Sequence, residues 1–125
     1  MRPPRSSPIS IGVVATLMLA CNLMSPGPSK TFESFLYAVE NGRIEEARTL
    51  CSGGLQAMLG PKLGIVLTAQ GERMRQQGGI KSIETKEEIV GETATVRATI
   101  TFKNGQSERT NMKLLKENGV WRISQ

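Results

Sequence analysis

Between Thr93 and Lys103 the side chains alternate without a break: Ala94, Val96, Ala98, Ile100 and Phe102 on one set of positions, Thr93, Thr95, Arg97, Thr99, Thr101 and Lys103 on the other. Only extended backbone, with its period of two, separates these sets onto opposite faces. A strand that is apolar on one side and polar on the other belongs in an antiparallel sheet with one face packed and one face wet. The neighbouring segments supply that sheet. Asn104-Gly105 is a hairpin signal, and the strand after it sets Thr110, Met112 and Leu114 against Arg109, Asn111 and Lys113. Asn118-Gly119 turns the chain again into Val120-Trp121-Arg122-Ile123, with Trp121 and Ile123 facing inward. Upstream, Ile80 to Val90 reads as an earlier strand joined through Gly91-Glu92, completing a four-stranded antiparallel meander.

The apolar face of that meander needs a cover, and the residues before Gly78-Gly79 have helical periodicity. Ser29 is the expected cap of a helix carrying Phe32, Phe35, Leu36 and Val39 and ending at Asn41-Gly42. A short helix fits Ile44 to Leu50, closed by Ser52-Gly53-Gly54. A third is expected between about Pro61 and Gln77, with Leu63, Val66, Leu67 and Met74 spaced for one face and Arg73 and Arg75 in its last turns. The expected class is therefore α+β, with three helices on a four-stranded antiparallel sheet. A chain of 125 residues holds one such domain and is too short for a dinucleotide-binding or barrel enzyme.

Arg2 and Arg5 precede an apolar run, Ile11 to Ala20, that has the size of an export-signal core and is too short to span a bilayer, which takes about 20 apolar residues. Cys21, Asn22 and the helix-hostile Ser25-Pro26-Gly27-Pro28 follow. Leu17-Met18-Leu19-Ala20-Cys21 resembles the lipobox of bacterial lipoproteins, in which a small residue precedes a cysteine that is acylated, for example with palmitate, and becomes the mature N-terminus. Ala20 and Cys21 match; Met18 stands where Leu is usual and Leu19 is larger than the common Ala, Ser or Thr. The resemblance implies residues 1–20 as a lipoprotein signal peptide, lipidation at Cys21, residues 21–28 as a tether and 29–125 as the folded domain. It further implies an exported protein anchored to the cell membrane or outer membrane, its domain in the periplasm or outside the cell. Loss of Arg2 and Arg5 would take the net charge from +5 to +3. The remaining cations are dispersed among glutamates, which gives nucleic-acid binding little support and leaves a weak attraction to anionic lipid headgroups.

The chain has no His, and every one of its 11 acidic residues is Glu. Most acid–base, nucleophilic and metal-ligating constellations are thereby excluded, and no metal or nucleotide cofactor is expected. Glu45-Glu46 and Glu87-Glu88 are sequence neighbours whose side chains point apart, so they read as solvated charge rather than as an acid and base pair. Acylation of Cys21 would leave Cys51 without a disulfide partner, and its place at the end of the Ile44–Leu50 helix reads as a buried small hydrophobe. Tyr37 reads as packing beside Phe32 and Phe35, with a hydroxyl that could instead enter a pocket. Met58, Leu59, Leu63, Met74 and Met112 could form an adaptable apolar pocket, although methionines fill core gaps more often than they bind ligands. The Thr93, Thr95, Arg97, Thr99 face reads as wet surface or as a homodimer contact.

The order of elements, with Gly91-Glu92-Thr93-Ala94-Thr95-Val96 and the closing Asn118-Gly119-Val120-Trp121-Arg122-Ile123, resembles the nuclear transport factor 2-like, or cystatin-like, α+β cone. Residues 29–125 are more narrowly similar to small bacterial lipoproteins of unknown function built on that cone. The family commonly has Asn-Gly-Asp between its first two helices; here the third residue is Arg43, which would leave Asn41 or Gly42 as the cap. The resemblance implies a curved sheet wrapped on the first helix and a pocket at the open end, for which Phe35, Tyr37, Leu67, Met74, Phe102, Met112 and Trp121 are the candidate lining residues. Enzymes of the superfamily, such as ketosteroid isomerases, scytalone dehydratases and polyketide cyclases, place Asp, His or Tyr in that pocket, and only Tyr37 could serve here. The leading expectation is a lipid-anchored envelope protein whose cone binds a small apolar ligand or an envelope protein without catalysis. A small hydrolase or isomerase using a Glu or Tyr37, and a structural homodimer, are the alternatives.

Overall fold

The computed structural model describes residues 25–124, so the segment expected to be an export signal, Cys21 and most of the expected tether lie outside the described residues. Among the described residues four helices precede four strands: α1 (Pro28–Glu40), α2 (Ile44–Thr49), α3 (Gly53–Leu59), α4 (Lys62–Gln76), β1 (Ile80–Val90), β2 (Thr93–Phe102), β3 (Ser107–Glu117) and β4 (Val120–Ile123). The strands pair antiparallel in sequence order, β1-β2-β3-β4. Among the described residues no helix is long and apolar enough to cross a membrane.

The β2 alternation appears directly in the register. Ala94, Val96, Ala98, Ile100 and Phe102 are all buried, opposite Leu114, Met112, Thr110 and Glu108 of β3 for the first four. Phe32, Leu36, Ala38 and Val39 of α1 are buried with them, and Phe32 and Phe35 stack with ring centroids 6.4 Å apart. Asn118 and Gly119 both take positive φ, as the two-residue hairpin requires. The β2–β3 turn is longer than a two-residue Asn-Gly hairpin. The Phe102 N–H donates to Gln106 O and the Gly105 N–H to Phe102 O, enclosing Lys103, Asn104 and Gly105.

Helix starts depart from the expected ones for a shared reason. Gly27, not Ser29, caps α1, and Pro28 takes the first helical position, where its missing N–H costs nothing. Gly27 has no capping side chain, so the Ser29 N–H donates instead to Glu87 Oε1 of β1 at 3.0 Å. Ser52 does not end a helix but begins α3, its hydroxyl accepting from the Leu55 N–H at 3.1 Å, while Glu117 of β3 accepts from the Gly53 N–H. Arg43 itself occupies the cap position of α2 without a side-chain cap bond and pairs with Glu46 at 3.1 Å, while Asn41 closes α1. Glu40 at the end of α1 accepts from the Ile80 N–H. In a chain without Asp, glutamates from distant elements thus satisfy backbone donors that short polar side chains usually take.

Two glycines fix how the layers meet. Gly79 has φ +88°, and its carbonyl accepts from the Lys103 N–H at 2.9 Å, so the left-handed turn after α4 also docks the β2–β3 hairpin. Gly71, in α4, faces the Val39 carbonyl oxygen so closely that a Cβ there would overlap it. At the other sheet edge the segment after α2 bridges β4: the Ser52 N–H donates to Ile123 O and the Ile123 N–H to Leu50 O, each at 2.8 Å.

Candidate functional site

Burial along the inner face of β3 falls off from Leu114, fully buried, to Met112, Thr110 and Glu108, which are only half-buried. α1 and α4 do not close over that end of the sheet, and a cleft of about 300 Å³ remains between them and β2–β3. Its floor is Phe32, Phe35, Leu36 and Val39 from α1, Leu67 and Met74 from α4, Ile100 from β2 and Met112 from β3. Val66, 44% exposed, stands at the rim. The polar lining is confined to Gln70, Arg73, Glu108 and Thr110. Arg73 Nη1 meets Glu108 Oε2 at 2.7 Å, and Arg73 Nη2 donates to Gln70 Oε1 at 2.7 Å, which ties helix α4 to strand β3 at the mouth. An apolar floor with a few oriented polar groups at the entrance is the usual make-up of a ligand site, and the volume is at the small end of the range of about 300–1,000 Å³.

Of the candidate lining residues, Phe35, Leu67, Met74 and Met112 come together in this cleft. Phe102 does not reach it and is sealed in the core at 1% exposure. Trp121 is buried on β4, with Lys116 Nζ 5.5 Å from the centroid of its ring. Tyr37 is exposed and outside the lining. Helical geometry explains this: Tyr37 is one residue beyond Leu36 and one short of Ala38, so it leaves the buried stripe of α1 by about 100° on either side. Met58 is exposed on α3 and Leu63 is part of the core. Glu108, Arg73 and Gln70, the polar rim, carried no site signal: Glu108 is in phase with the inner-face Thr110, Met112 and Leu114, but a charged side chain just after the hairpin reads as wet until α4 is placed opposite it.

Among the described residues the cleft lining has one carboxylate, Glu108, engaged by an arginine, and no Cys, Ser, Lys or Tyr. Glu45 pairs with Arg48 and Glu46 with Arg43, while Glu87 is the acceptor for the start of α1. No group of metal-ligating side chains is present among the described residues. Cys51 is buried next to β4, its Sγ 3.5 Å from Ala47 O, and burial pushes its thiol up to about 11 against a weaker opposing pull from Arg48. The folded pKa is raised above the ordinary 9.0, so the proton is held more tightly in the native state. The resulting stabilisation is complete below about pH 9 and fades as the pH rises toward 11. Between pH 8 and pH 10.5 the urea midpoint is expected to fall further for the wild type than for Cys51→Ala, the difference between the two being the contribution of the thiol.

No protein-family model matches the chain, and no curated protein matches it in sequence. Solved structures do match. A Campylobacter jejuni protein, provisionally described as a nuclear transport factor 2-like transpeptidase and solved at 2.00 Å, superposes with a TM-score of 0.69 at 18% identity over 79% of this chain and 98% of its own. The fold is the nuclear transport factor 2-like cone. Within that cone the open end is the mouth between α1, α4 and the β2–β3 hairpin, and the helix-free face of the sheet carries Thr93, Thr95, Arg97 and Thr99.

Proposed function

We propose that this is a lipid-anchored cell-envelope protein whose cone binds an apolar ligand, an aliphatic chain or a comparable hydrophobic segment, without transforming it. The observation that carries the reading is the cleft lining: eight apolar floor residues and a single carboxylate already held by Arg73. Binding needs only desolvation of that floor, at about 25 cal/mol per Å². Acid–base work would need a free group aimed at a reacting atom. The lipobox-like Leu17-Met18-Leu19-Ala20-Cys21 supports the anchor and the exported location. Transpeptidase chemistry, the provisional description of the Campylobacter jejuni protein, calls for an activated nucleophile, and the buried, high-pKa Cys51 does not fit that role.

Titration with a fluorescent long-chain fatty-acid probe tests the cleft. Saturable binding is expected, weakened about tenfold by Met112→Gln, which keeps the side-chain length but puts an amide on the floor. Glu108→Gln is expected to leave the affinity within about twofold. Unchanged affinity in Met112→Gln, with the fold intact by circular dichroism, contradicts the reading; conversion of a substrate that Glu108→Gln abolishes would favour the hydrolase or isomerase instead.

A further inference from the structure

The face of the sheet turned away from the helices has its own chemistry, written in the strand register. Its rows across β1, β2 and β3 read Glu84–Thr99–Arg109, Lys86–Arg97–Asn111, Glu88–Thr95–Lys113 and Val90–Thr93–Leu115. The second row places Lys86 directly opposite Arg97 with no carboxylate in that row, Glu84 and Glu88 standing in the rows on either side, and like charges directly opposite one another destabilise a sheet. Among the described residues the ion pairs involve Arg43, Arg48 and Arg73, so Lys86, Arg97, Arg109 and Lys113 all stand unpaired and exposed. A shallow depression of about 370 Å³ is lined by Lys86, Arg97, Thr99, Arg109 and Asn111 together with one carboxylate, Glu84, so that three cations face one anion there. The last row adds two bare aliphatic side chains, Val90 at 71% and Leu115 at 38% exposure.

We propose that this face docks on the anionic phospholipid headgroups of the membrane that carries the anchor. The proposal rests on the lipid-anchor reading, and three observations favour that occupant. Unpaired cations over a hydroxyl-rich floor complement phosphate esters, each cation near such a surface adding to the attraction within a Debye length of about 8 Å. Val90 and Leu115 beside those cations give the mixed basic and aliphatic character of an interfacial contact. The chain leaves the domain at the β1 edge of the sheet: α1 begins at Pro28, tied through Ser29 to Glu87, whose side chain is on the helix-covered face of edge strand β1, opposite to Lys86 and Glu88. From Cys21 to Pro28 the chain can extend by at most about 25 Å, enough to pass round that edge, so an acylated Cys21 would keep this face within reach of the lipid.

The test uses the full lipidated chain, reconstituted on vesicles of phosphatidylcholine alone and of phosphatidylcholine mixed with phosphatidylglycerol, and maps lysine acylation by an amine-reactive reagent with mass spectrometry. Labelling of Lys86 and Lys113 is expected to drop about fivefold or more on the anionic vesicles, to recover at high salt, and to recover in Arg97→Glu, while Lys62 on α4 stays unchanged. Equal labelling of Lys86 and Lys113 on both vesicles overturns the proposal. So does protection that is indifferent to lipid charge and grows with protein concentration, which would mark a contact between copies. Flotation separates the two readings. Protein that floats with neutral vesicles has its anchor. Protein that floats only with anionic vesicles, and not after Arg97→Glu, lacks the anchor and still supports the face; protein that floats with neither overturns both.

Discussion

Gly71→Ala is expected to lower the stability of the domain by about 2–3 kcal/mol, an overpacking cost, despite exchanging a poor helix former for the best one. On helix propensity alone the substitution would stabilise by roughly 1 kcal/mol. The added Cβ, however, overlaps the carbonyl oxygen of Val39, and Arg75 Nη1 is a further close neighbour at 3.2 Å. The carbonyl cannot swing aside like a side chain. It accepts the closing hydrogen bond of α1 from the Gly42 N–H, and the next carbonyl, of Glu40, accepts from Arg75 Nη1 at 2.6 Å. The two helices must therefore separate, loosening the walls of the cleft as well as the core. For a domain of this size the thermal midpoint should fall by roughly 10–20 °C. A calorimetric midpoint equal to or above that of the wild type would show that α1 and α4 do not meet through Gly71.

How much of this was legible beforehand follows from the range of each signal. The strands were readable because alternation and Asn-Gly turns are local: β2 and the inner face of β3 lie where the pattern put them. The α3 helix was missed because Ser52-Gly53-Gly54 reads as a stop, whereas the Ser52 hydroxyl and Glu117, 64 positions away from Gly53, turn it into a start. The cap at Gly27 was missed for the same reason, since its acceptor, Glu87, is 58 positions from Ser29. In the cleft, Phe35, Leu67, Met74 and Met112 were accessible as apolar residues on the inner faces of their elements. Tyr37, Phe102 and Trp121 were not separable from them, because hydrophobicity marks the core without saying which part of it stays uncovered. The Arg73–Glu108 pair joins elements 35 residues apart and belongs to tertiary structure alone.

The second large effect concerns the anchor. Cys21→Ala is expected to abolish incorporation of a metabolically supplied fatty-acid analogue and to move the protein out of the membrane fraction, an all-or-none change. The magnitude follows from the chains: each buried CH₂ contributes about 0.8 kcal/mol, so several acyl chains hold a protein on a bilayer where a few surface cations give only reversible contact. Cys51→Ala is the control, since the other thiol is buried against Ala47 O. Equal labelling of wild type and Cys21→Ala would remove the anchor.

The cleft is the centre of the functional reading, and the position of a bound chain tests it most directly. A crystal structure of the protein grown with a saturated fatty acid should show the aliphatic chain lying on Phe35, Leu67 and Met112, with its carboxylate directed out of the mouth into solvent, away from Glu108. A chain bound elsewhere, while Phe35, Leu67 and Met112 close on one another and leave no space between α1, α4 and the sheet, would contradict it.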